Sequence, residues 1–398
     1  MKDKELVILA YSGGLDTSVA IPWLKENYNA EVITVTADLG QDSVDKNLEE
    51  KALKSGALRS YIIDGRETFI NEFVWPSLRA SAIYEGQYPL ATALGRPLIA
   101  RYLVEIALKE GGTAIAHGCT GKGNDQVRLD VGVSTLAPQL SIIAPAREWN
   151  MDREQEIEYG EKRGLELPVT RKNLYSVDEN IWGRSIESGP LEDPWNEPPE
   201  EIYSWTCSIS DAPQDPMYIE IDFDKGLPVA LDGKSLSGID LVKKLNFLAG
   251  SNGVGRIDHL ENRLVGIKSR EIYESPAAIV LHACHNALET MTLVKEQQRF
   301  KNFVSQQYAD MIYNGLWYSS HRRDLDAYIS STQEYVTGKI RVKLFKGSCS
   351  VVGRSSPYAL YDYELATYDE SDKFDHSSAE GFIKLFGLPY KTQTIKQD

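Results

Sequence analysis

Cysteine is scarce in this chain of 398 residues: there are four, Cys119, Cys207, Cys284 and Cys349. They stand far apart, with no CxxC pair and no histidine-rich spacing. That disfavours a zinc site and a disulfide framework and suits a reducing compartment. Long hydrophobic runs are missing too. Lys2, Asp3, Lys4 and Glu5 are followed only by the short stretch Leu6 to Tyr11. This is neither a signal peptide nor one of the spans of about 20 apolar residues that cross a bilayer. A soluble cytoplasmic protein with no membrane partner is expected. Positive charge is in deficit: 43 Lys plus Arg face 58 Asp plus Glu, a formal net charge of −15. No nucleic-acid partner is expected, because neutralising phosphates takes clustered Lys and Arg.

The deficit is local. Residues 1–150 carry 15 bases and 19 acids, residues 151–224 carry 6 and 19, and residues 225–398 carry 22 and 20. Nearly all of it lies in the middle segment, so an anion-binding site is expected outside that segment or shielded from it. The rest is ordinary globular composition, and at roughly 150 residues per domain the length suits two or three domains.

Leu6 to Ala10 reads as a buried strand, bounded by charge before it and Gly13-Gly14 after. Val19, Ala20, Trp23 and Leu24 recur at helical spacing, so a helix follows and ends near Asn27–Asn29. Further strands are read at Glu31 to Ala37, Ser60 to Ile63 and Thr113 to Ala116, with helices around Leu48 to Leu53 and Leu98 to Lys109. Strands alternating with helices predict an α/β domain with a doubly wound parallel sheet. Such sheets bind ligands at the carboxyl ends of their strands, here residues 11–18, 37–40 and 117–125.

Residues 189–216 hold six of the 17 prolines and read as irregular. Beyond them come strands at Met217 to Phe223 and Leu227 to Leu231, helices about Gly238–Gly250 and Ala277–Ala309, and a hairpin of Lys339 to Phe345 with Ser348 to Val352. This predicts a second, α+β domain. From about His376 a short amphipathic helix carries Phe382, Ile383, Leu385 and Phe386. Alone it has little to bury against, so it is expected to dock elsewhere.

The strongest feature is Ser12-Gly13-Gly14-Leu15-Asp16-Thr17-Ser18, set between the first strand and its helix. Two glycines allow a tight turn and bring bare N–H groups close to a ligand. Ser12, Thr17 and Ser18 add hydroxyls, and the helix N-terminus adds partial positive charge. Together they make a phosphate or pyrophosphate pocket without a lysine; the plain alternative is a tight turn in which Asp16 steadies the first helical turn. It is not a Walker loop: the one Gly-Lys-Ser, Gly233 to Ser235, has Pro228 where the first glycine should stand.

Ser-Gly-Gly-x-Asp-[Ser/Thr]-Ser resembles the pyrophosphate loop of the ATP-pyrophosphatases. Those enzymes cleave ATP between the α- and β-phosphates and adenylate an acceptor, which implies AMP and pyrophosphate as products. Further stretches are Ala37-Asp38-Leu39-Gly40-Gln41, Ala116 through Arg128, and Gly255-Arg256-Ile257-Asp258 through Glu261-Asn262-Arg263 to Ile272-Tyr273-Glu274. Taken in order, they are similar to the argininosuccinate synthase family.

The resemblance implies ATP-driven condensation of citrulline with aspartate through a citrullyl-AMP intermediate, in arginine biosynthesis, by a homotetramer. It also implies Mg2+ with the ATP, held mainly by the phosphates, and no protein metal ligand is expected. The implied organisation is a nucleotide-binding domain at 1–170, an α+β synthetase domain at 171–365 and a C-terminal oligomerisation arm at 366–398.

By the same resemblance Ala10, Tyr11, Ser12, Gly13, Gly14, Leu15, Asp16, Thr17, Ser18, Ala37 and Gly118 contact ATP. Thr120, Asn124 and Asp125 hold aspartate. Asn124, Arg128, Tyr88, Ser176, Ser185, Glu261 and Tyr273 hold citrulline. Ala37 leaves room for an adenine ring and equally could be core. Ser176 and Ser185 taken singly would be turn or cap residues, and Glu261 on a helix would be a solvated or salt-bridged carboxylate, with Arg263 or Arg256. Lys122 and Arg128 supply positive charge. Ala93 stands where many relatives place a serine, which puts one hydrogen bond to citrulline in doubt.

Asp16 and Asp125 are the candidate catalytic residues. Asp125 can take a proton from the aspartate amine, as can a substrate phosphate; His117 reads equally as packing or capping. The competing readings are another pyrophosphate-loop adenylating enzyme and a non-catalytic nucleotide-binding regulator. Scattered cysteines and the acidic middle segment weigh against a tRNA-thiolating enzyme, and intact phosphate and substrate loops weigh against the regulator.

Overall fold

Val7 and Leu9 point to one face of the first strand and Ile8 to the other, yet none of the three is exposed. Burial on both faces marks a strand at the centre of a covered sheet. The computed structural model describes residues 4–41, 47–167 and 174–397; the domain boundary expected at 170/171 lies outside these. Strands β1 (Glu5–Ala10), β2 (Ala30–Asp38), β3 (Arg59–Asp64), β4 (Ala114–Ala116) and β5 (Ser141–Ile143) form a parallel sheet in the order β3-β2-β1-β4-β5. Val7 and Leu9 pack with Ala20, Ile21 and Leu24 of the helix Leu15–Tyr28. Ile8 faces a larger core with Leu94, Leu98 and Leu103 of the helix Ala91–Glu110. This is the expected doubly wound α/β arrangement, and the sequence order reverses at β1, between β2 and β4.

The rest of the chain adds two antiparallel sheets. In chain order their strands are β6 (Ser176–Asn180), β7 (Gly183–Glu187), β8 (Met217–Asp224), β9 (Leu227–Leu231), β10 (Lys234–Ser235), β11 (Arg256–Asn262), β12 (Lys268–Glu274), β13 (Gly338–Phe345) and β14 (Ser348–Ser355). One sheet runs β11-β12-β7-β6 and the other β10-β9-β8-β13-β14. The turn between β6 and β7 is what fastens the first of these to the parallel sheet. Trp182 is fully buried there and donates from Nε1 to the Pro89 carbonyl at 3.0 Å. Asn180 donates to Ala91 O at 2.8 Å, and Ile181 N donates to Leu39 O at 3.0 Å.

Two sequence expectations change and a third holds. The helix read over Ala277–Ala309 is two helices, Pro276–Thr292 and Lys295–Tyr313. Thr290 and Thr292 turn their hydroxyls onto the carbonyls of Ala287 and Leu288, which competes with continuing the helix. Gln297 then reaches back to Val294 N to start the next one. The short amphipathic C-terminal helix is in fact a 22-residue helix, His376–Gln397, with no buried residue. The proline-rich stretch is irregular as expected, with two short 3-10 turns at Gly189–Glu192 and Glu200–Ile202. Among the described residues no helix is long and apolar enough to cross a membrane.

Glu274, at the end of β12, anchors that irregular stretch. Its fully buried carboxylate accepts from the N–H groups of Ser204, Trp205 and Thr206, from the Thr206 hydroxyl at 2.7 Å and from Arg184 at 2.9 Å. Removing the carboxylate leaves several buried donors without their acceptor and takes from Arg184 the nearer of its two carboxylates. Glu274→Ala should therefore cost about 3–5 kcal/mol, read as a lower urea midpoint; an unchanged midpoint would refute the anchoring role.

Candidate active site

The carboxyl ends of β1, β2 and β4 open into a cavity of about 780 Å³, closed on its far side by β6, β7, β11 and β12. Its first wall is the loop after β1. Gly13 turns at φ +75, a left-handed conformation where a Cβ would also run into Leu48. Gly14 caps the helix Leu15–Tyr28 with no side-chain acceptor, so the N–H groups of the first helical turn stay open toward the cavity. Ser12 and Thr17 lie 3.2 Å apart, oxygen to oxygen, beside them. Gly123 caps the helix Asn124–Leu136 in the same way, so two helix N-termini with open donors face one cavity. Ala37 sits half-buried at the end of β2. Gln41 fastens that corner by accepting from Leu39 N at 2.7 Å and donating to Ala37 O at 2.9 Å.

The opposite wall is built from paired charges. Arg96, from the helix Ala91–Glu110, donates from one nitrogen both to Asp125 at 2.7 Å and to Asp178 of β6. Arg128 reaches the other oxygen of Asp125 at 2.9 Å. Burial alone would raise the Asp125 carboxyl, but the two guanidiniums outweigh it and hold it down at about 2. Arg128 Nη2 is buried with no partner among the described residues, an open donor at the cavity wall. Glu261 on β11 accepts from the hydroxyls of Tyr273 at 2.6 Å and Tyr313 at 2.5 Å. Tyr88 stacks on Tyr273 with ring centres 4.2 Å apart. Arg263 bridges Glu187 and Glu271, the latter at 2.6 Å. Burial, then the charge of Glu187, pushes the Glu271 carboxyl up to about 8.

The cavity brings together nearly all of the residues singled out in the sequence. Ala10, Tyr11, Ser12, Gly14, Leu15, Asp16, Thr17, Ala37 and Gly118 line it at one end. Tyr88, Thr120, Asn124, Asp125, Arg128, Ser176, Ser185, Glu261 and Tyr273 line it at the other. Gly13 and Ser18 do not reach its surface: Gly13 shapes the turn, and Ser18 is buried, 3.4 Å from the Tyr11 hydroxyl. Glu261 lies on a strand, not a helix, and its partners are tyrosines; Arg263 and Arg256 pair with other carboxylates. Lys122 is exposed and does not line the cavity.

Asp125 is poorly suited to accept a proton, since both its oxygens are held by guanidinium groups. His117 is engaged in structure: Nδ1 accepts from Cys119 N, so Nε2 carries the proton shared with Asp130 at 2.6 Å. Ala93 is buried and its N–H donates to the Tyr88 hydroxyl at 3.3 Å. Cys119 lines the cavity, but burial and the charge of Asp125 hold its thiol up at about 12, far from a reactive thiolate. Sequence reasoning missed Arg96, Glu187, Arg263, Glu271 and Tyr313, because their partners are distant in the chain.

Residues 6–166 match the model of the arginosuccinate synthase N-terminal HUP domain, and residues 175–393 match that of the arginosuccinate synthase C-terminal domain. The chain belongs to the argininosuccinate synthase family. Three curated argininosuccinate synthases illustrate the likeness. The one from Dehalococcoides mccartyi (strain CBDB1) is 59% identical over 393 residues, covering 99% of this chain and 97% of the relative. Those of Symbiobacterium thermophilum and Gloeobacter violaceus are 55% and 57% identical, covering 99% and 96% of this chain and 98% and 96% of their own lengths. Like the family, the chain is a ligase that forms carbon–nitrogen bonds.

One contact behind the β1-loop wall is open to titration. Glu156, on the helix Arg153–Glu161, is pushed up to about 8, first by burial and then by hydrogen bonding to Asp16 and by its charge. A carboxyl raised in the folded state from its unfolded value of about 4.3 stabilises the fold most below that value and loses the contribution as pH rises through about 8. Glu156→Gln keeps the donor without the charge. The variant should match the parent's melting temperature near pH 4 and exceed it above pH 8; equal melting temperatures at both pH values would contradict the Asp16–Glu156 contact.

Proposed function

We propose that this chain joins citrulline to aspartate at the expense of ATP, through a citrullyl-AMP intermediate, releasing AMP, pyrophosphate and argininosuccinate. The ureido oxygen of citrulline attacks the α-phosphorus of ATP; an oxygen–phosphorus bond forms as the bond to the β-phosphate oxygen breaks and pyrophosphate leaves. The aspartate ammonium gives a proton to a substrate phosphate, the free amine attacks the ureido carbon, the carbon–nitrogen bond forms, and the carbon–oxygen bond to AMP breaks. Neither step needs a strong protein nucleophile. Both need three highly polar molecules held in register, so positioning and charge stabilisation are the levers.

The observation that carries the reading is one continuous cavity that holds both open helix N-terminal donors and Arg128 Nη2, which has no partner among the described residues. The N–H groups of the first turn, with Ser12 and Thr17, suit the phosphates, and the small Ala37 leaves room for adenine. Thr120, Asn124 and Asp125 suit the aspartate. Tyr88, Arg128, Ser176, Ser185, Glu261 and Tyr273 suit citrulline. Among the described residues no group of three or more His, Cys, Asp or Glu side chains is placed to hold a metal ion. Mg2+ would therefore come with ATP, held by phosphates and water, as its preference for octahedral oxygen and retained water favours.

Pyrophosphate release from ATP, measured with citrulline, with aspartate and with both, tests this function. Release should require citrulline, and argininosuccinate should form only with both; release driven by neither amino acid would overturn the reading.

We further propose a homotetramer whose arm is the C-terminal segment 366–398. Phe382, Ile383, Leu385 and Phe386 are each more than half exposed on the helix His376–Gln397. An apolar stripe of this kind is covered in an assembly. Light scattering should give a tetramer for the full chain and a smaller species without residues 376–398; an unchanged mass would remove the arm from the assembly.

A further inference from the structure

One tyrosine outside the cavity touches more of its substrate-facing side chains than any single lining residue described above. Tyr313 ends the helix Lys295–Tyr313, is fully buried and does not line the cavity. Its hydroxyl lies 2.8 Å from Asn124 Nδ2 and 2.5 Å from Glu261 Oε1. Its carbonyl accepts from Arg128 Nε at 2.8 Å, and the Arg128 guanidinium stands 4.7 Å from its ring centre. Its ring stacks on Tyr84 at 3.6 Å with planes 7° apart. Gly315, at φ +75, brings the chain past Arg128 so closely that a Cβ would stand 2.7 Å from the Arg128 Cα.

The direction of each hydrogen bond in this cluster is determined. Leu264 N donates to Asn124 Oδ1 at 2.8 Å, so the other end of that amide, Nδ2, donates to the tyrosine oxygen. A tyrosine hydroxyl has one proton. Having accepted from Asn124, Tyr313 gives its proton to Glu261 Oε1, while Tyr273 gives its own to Oε2. The bonds run from Leu264 through Asn124 and Tyr313 to Glu261, with Tyr273 meeting it from the other side. Leu264, Glu261 and Tyr273 all belong to the β11–β12 hairpin, so the string leaves that hairpin, passes through the N-terminus of the helix Asn124–Leu136 and returns.

We propose that Tyr313 is a positioning residue that sets the aspartate-facing amide of Asn124 and the citrulline-facing carboxylate of Glu261 in one register, so that both amino-acid subsites depend on a single buried hydroxyl. The inference rests on reading this cavity as the citrulline and aspartate site. The hydroxyl reaches no substrate; it acts through the two side chains it orients. The loop after β1 and the N-terminus of the helix Leu15–Tyr28 lie outside the string, so the ATP contacts expected there are independent of it.

Tyr313→Phe tests the inference, because it keeps the ring, its stack on Tyr84 and its backbone bond to Arg128 while deleting the one proton and acceptor at issue. Losing a hydrogen bond to a charged group is worth roughly tenfold or more in an equilibrium constant. KM for citrulline and KM for aspartate should each rise about tenfold, with KM for ATP within about twofold and kcat affected less than either. Tyr84→Phe, which deletes a neighbouring hydroxyl that donates to Asn262 O, should leave both KM values within about twofold of the parent. A lower melting temperature with both KM values unchanged would make Tyr313 structural only. A rise in one KM alone, or equal rises in Tyr84→Phe, would refute the shared register. Citrulline-dependent pyrophosphate release by the unaltered protein is measured alongside; its absence would overturn the functional reading itself, whereas its presence with an unaffected Tyr313→Phe would overturn this inference alone.

Discussion

A buried carboxylate has to be matched by a cation or by several donors, or the segment that carries it moves until it finds one. That constraint organises this molecule. Asp125, Asp178, Glu187, Glu261 and Glu271 all line one cavity, and each is held: Asp125 and Asp178 by Arg96, Glu187 and Glu271 by Arg263, and Glu261 by two tyrosines. Arg96 matters most because its partners lie on different units. One is at the start of a helix of the parallel-sheet domain and the other on a strand of the second domain. Charge pairing here does what hydrophobic burial does elsewhere in the fold. It decides where the second domain sits over the first.

The hydrophobic contribution to the same junction is the turn between β6 and β7. Trp182 and Ile181 fill the first domain's core beside Leu39 and Ala91, and Gly40 is needed there because a Cβ would meet Ile181. With the turn fixed, the two strands that leave it carry Ser176, Asp178, Ser185 and Glu187 across the cavity mouth. Ser185 pairs with Asp178 across the hairpin and Ser176 with Glu187, so serines and carboxylates alternate along that edge. The acids that a segment with 19 acids and 6 bases brings to the cavity are not bare: arginines from other parts of the chain cover them, Arg96 over Asp178 and Arg263 over Glu187. At the cavity the acidic charge is offset by pairing, not by distance.

Much of the parallel-sheet domain was legible because its information is local. Five apolar residues, two glycines and a helical repeat suffice to read β1, its loop and its helix, and the left-handed Asn29 closes that helix where the sequence placed its end. The second domain hides more. Strands β6, β7, β11 and β12 read SVDEN, GRSIE, RIDHLEN and KSREIYE, with charges where alternation would need apolar residues, so their pairing shows only once cross-strand partners are known. The break at Leu293-Val294 follows from threonine hydroxyls competing for helix carbonyls, a choice tertiary packing settles. Arg96, Arg263 and Tyr313 act on residues 29 to 82, 8 to 76 and 52 to 189 positions away, and no periodicity in one sequence reports such distances.

The two glycine-capped helix N-termini have a consequence for how this cavity can change over evolution. Donors made of backbone amides are not encoded by any side chain, so the only single substitution that deletes one is to proline, and no modification of a lysine neutralises them; among the described residues the cavity lining holds arginines but no lysine. What can be lost is the path of the chain, and that rests on very few positions, of which Gly13, with its left-handed φ and Leu48 against its missing Cβ, is the least forgiving. The part of the cavity built from the β1 loop is therefore tolerant of drift at most positions and brittle at one or two points. The rest of the lining, built from individually replaceable side chains, is where the chemistry of the cavity could change stepwise.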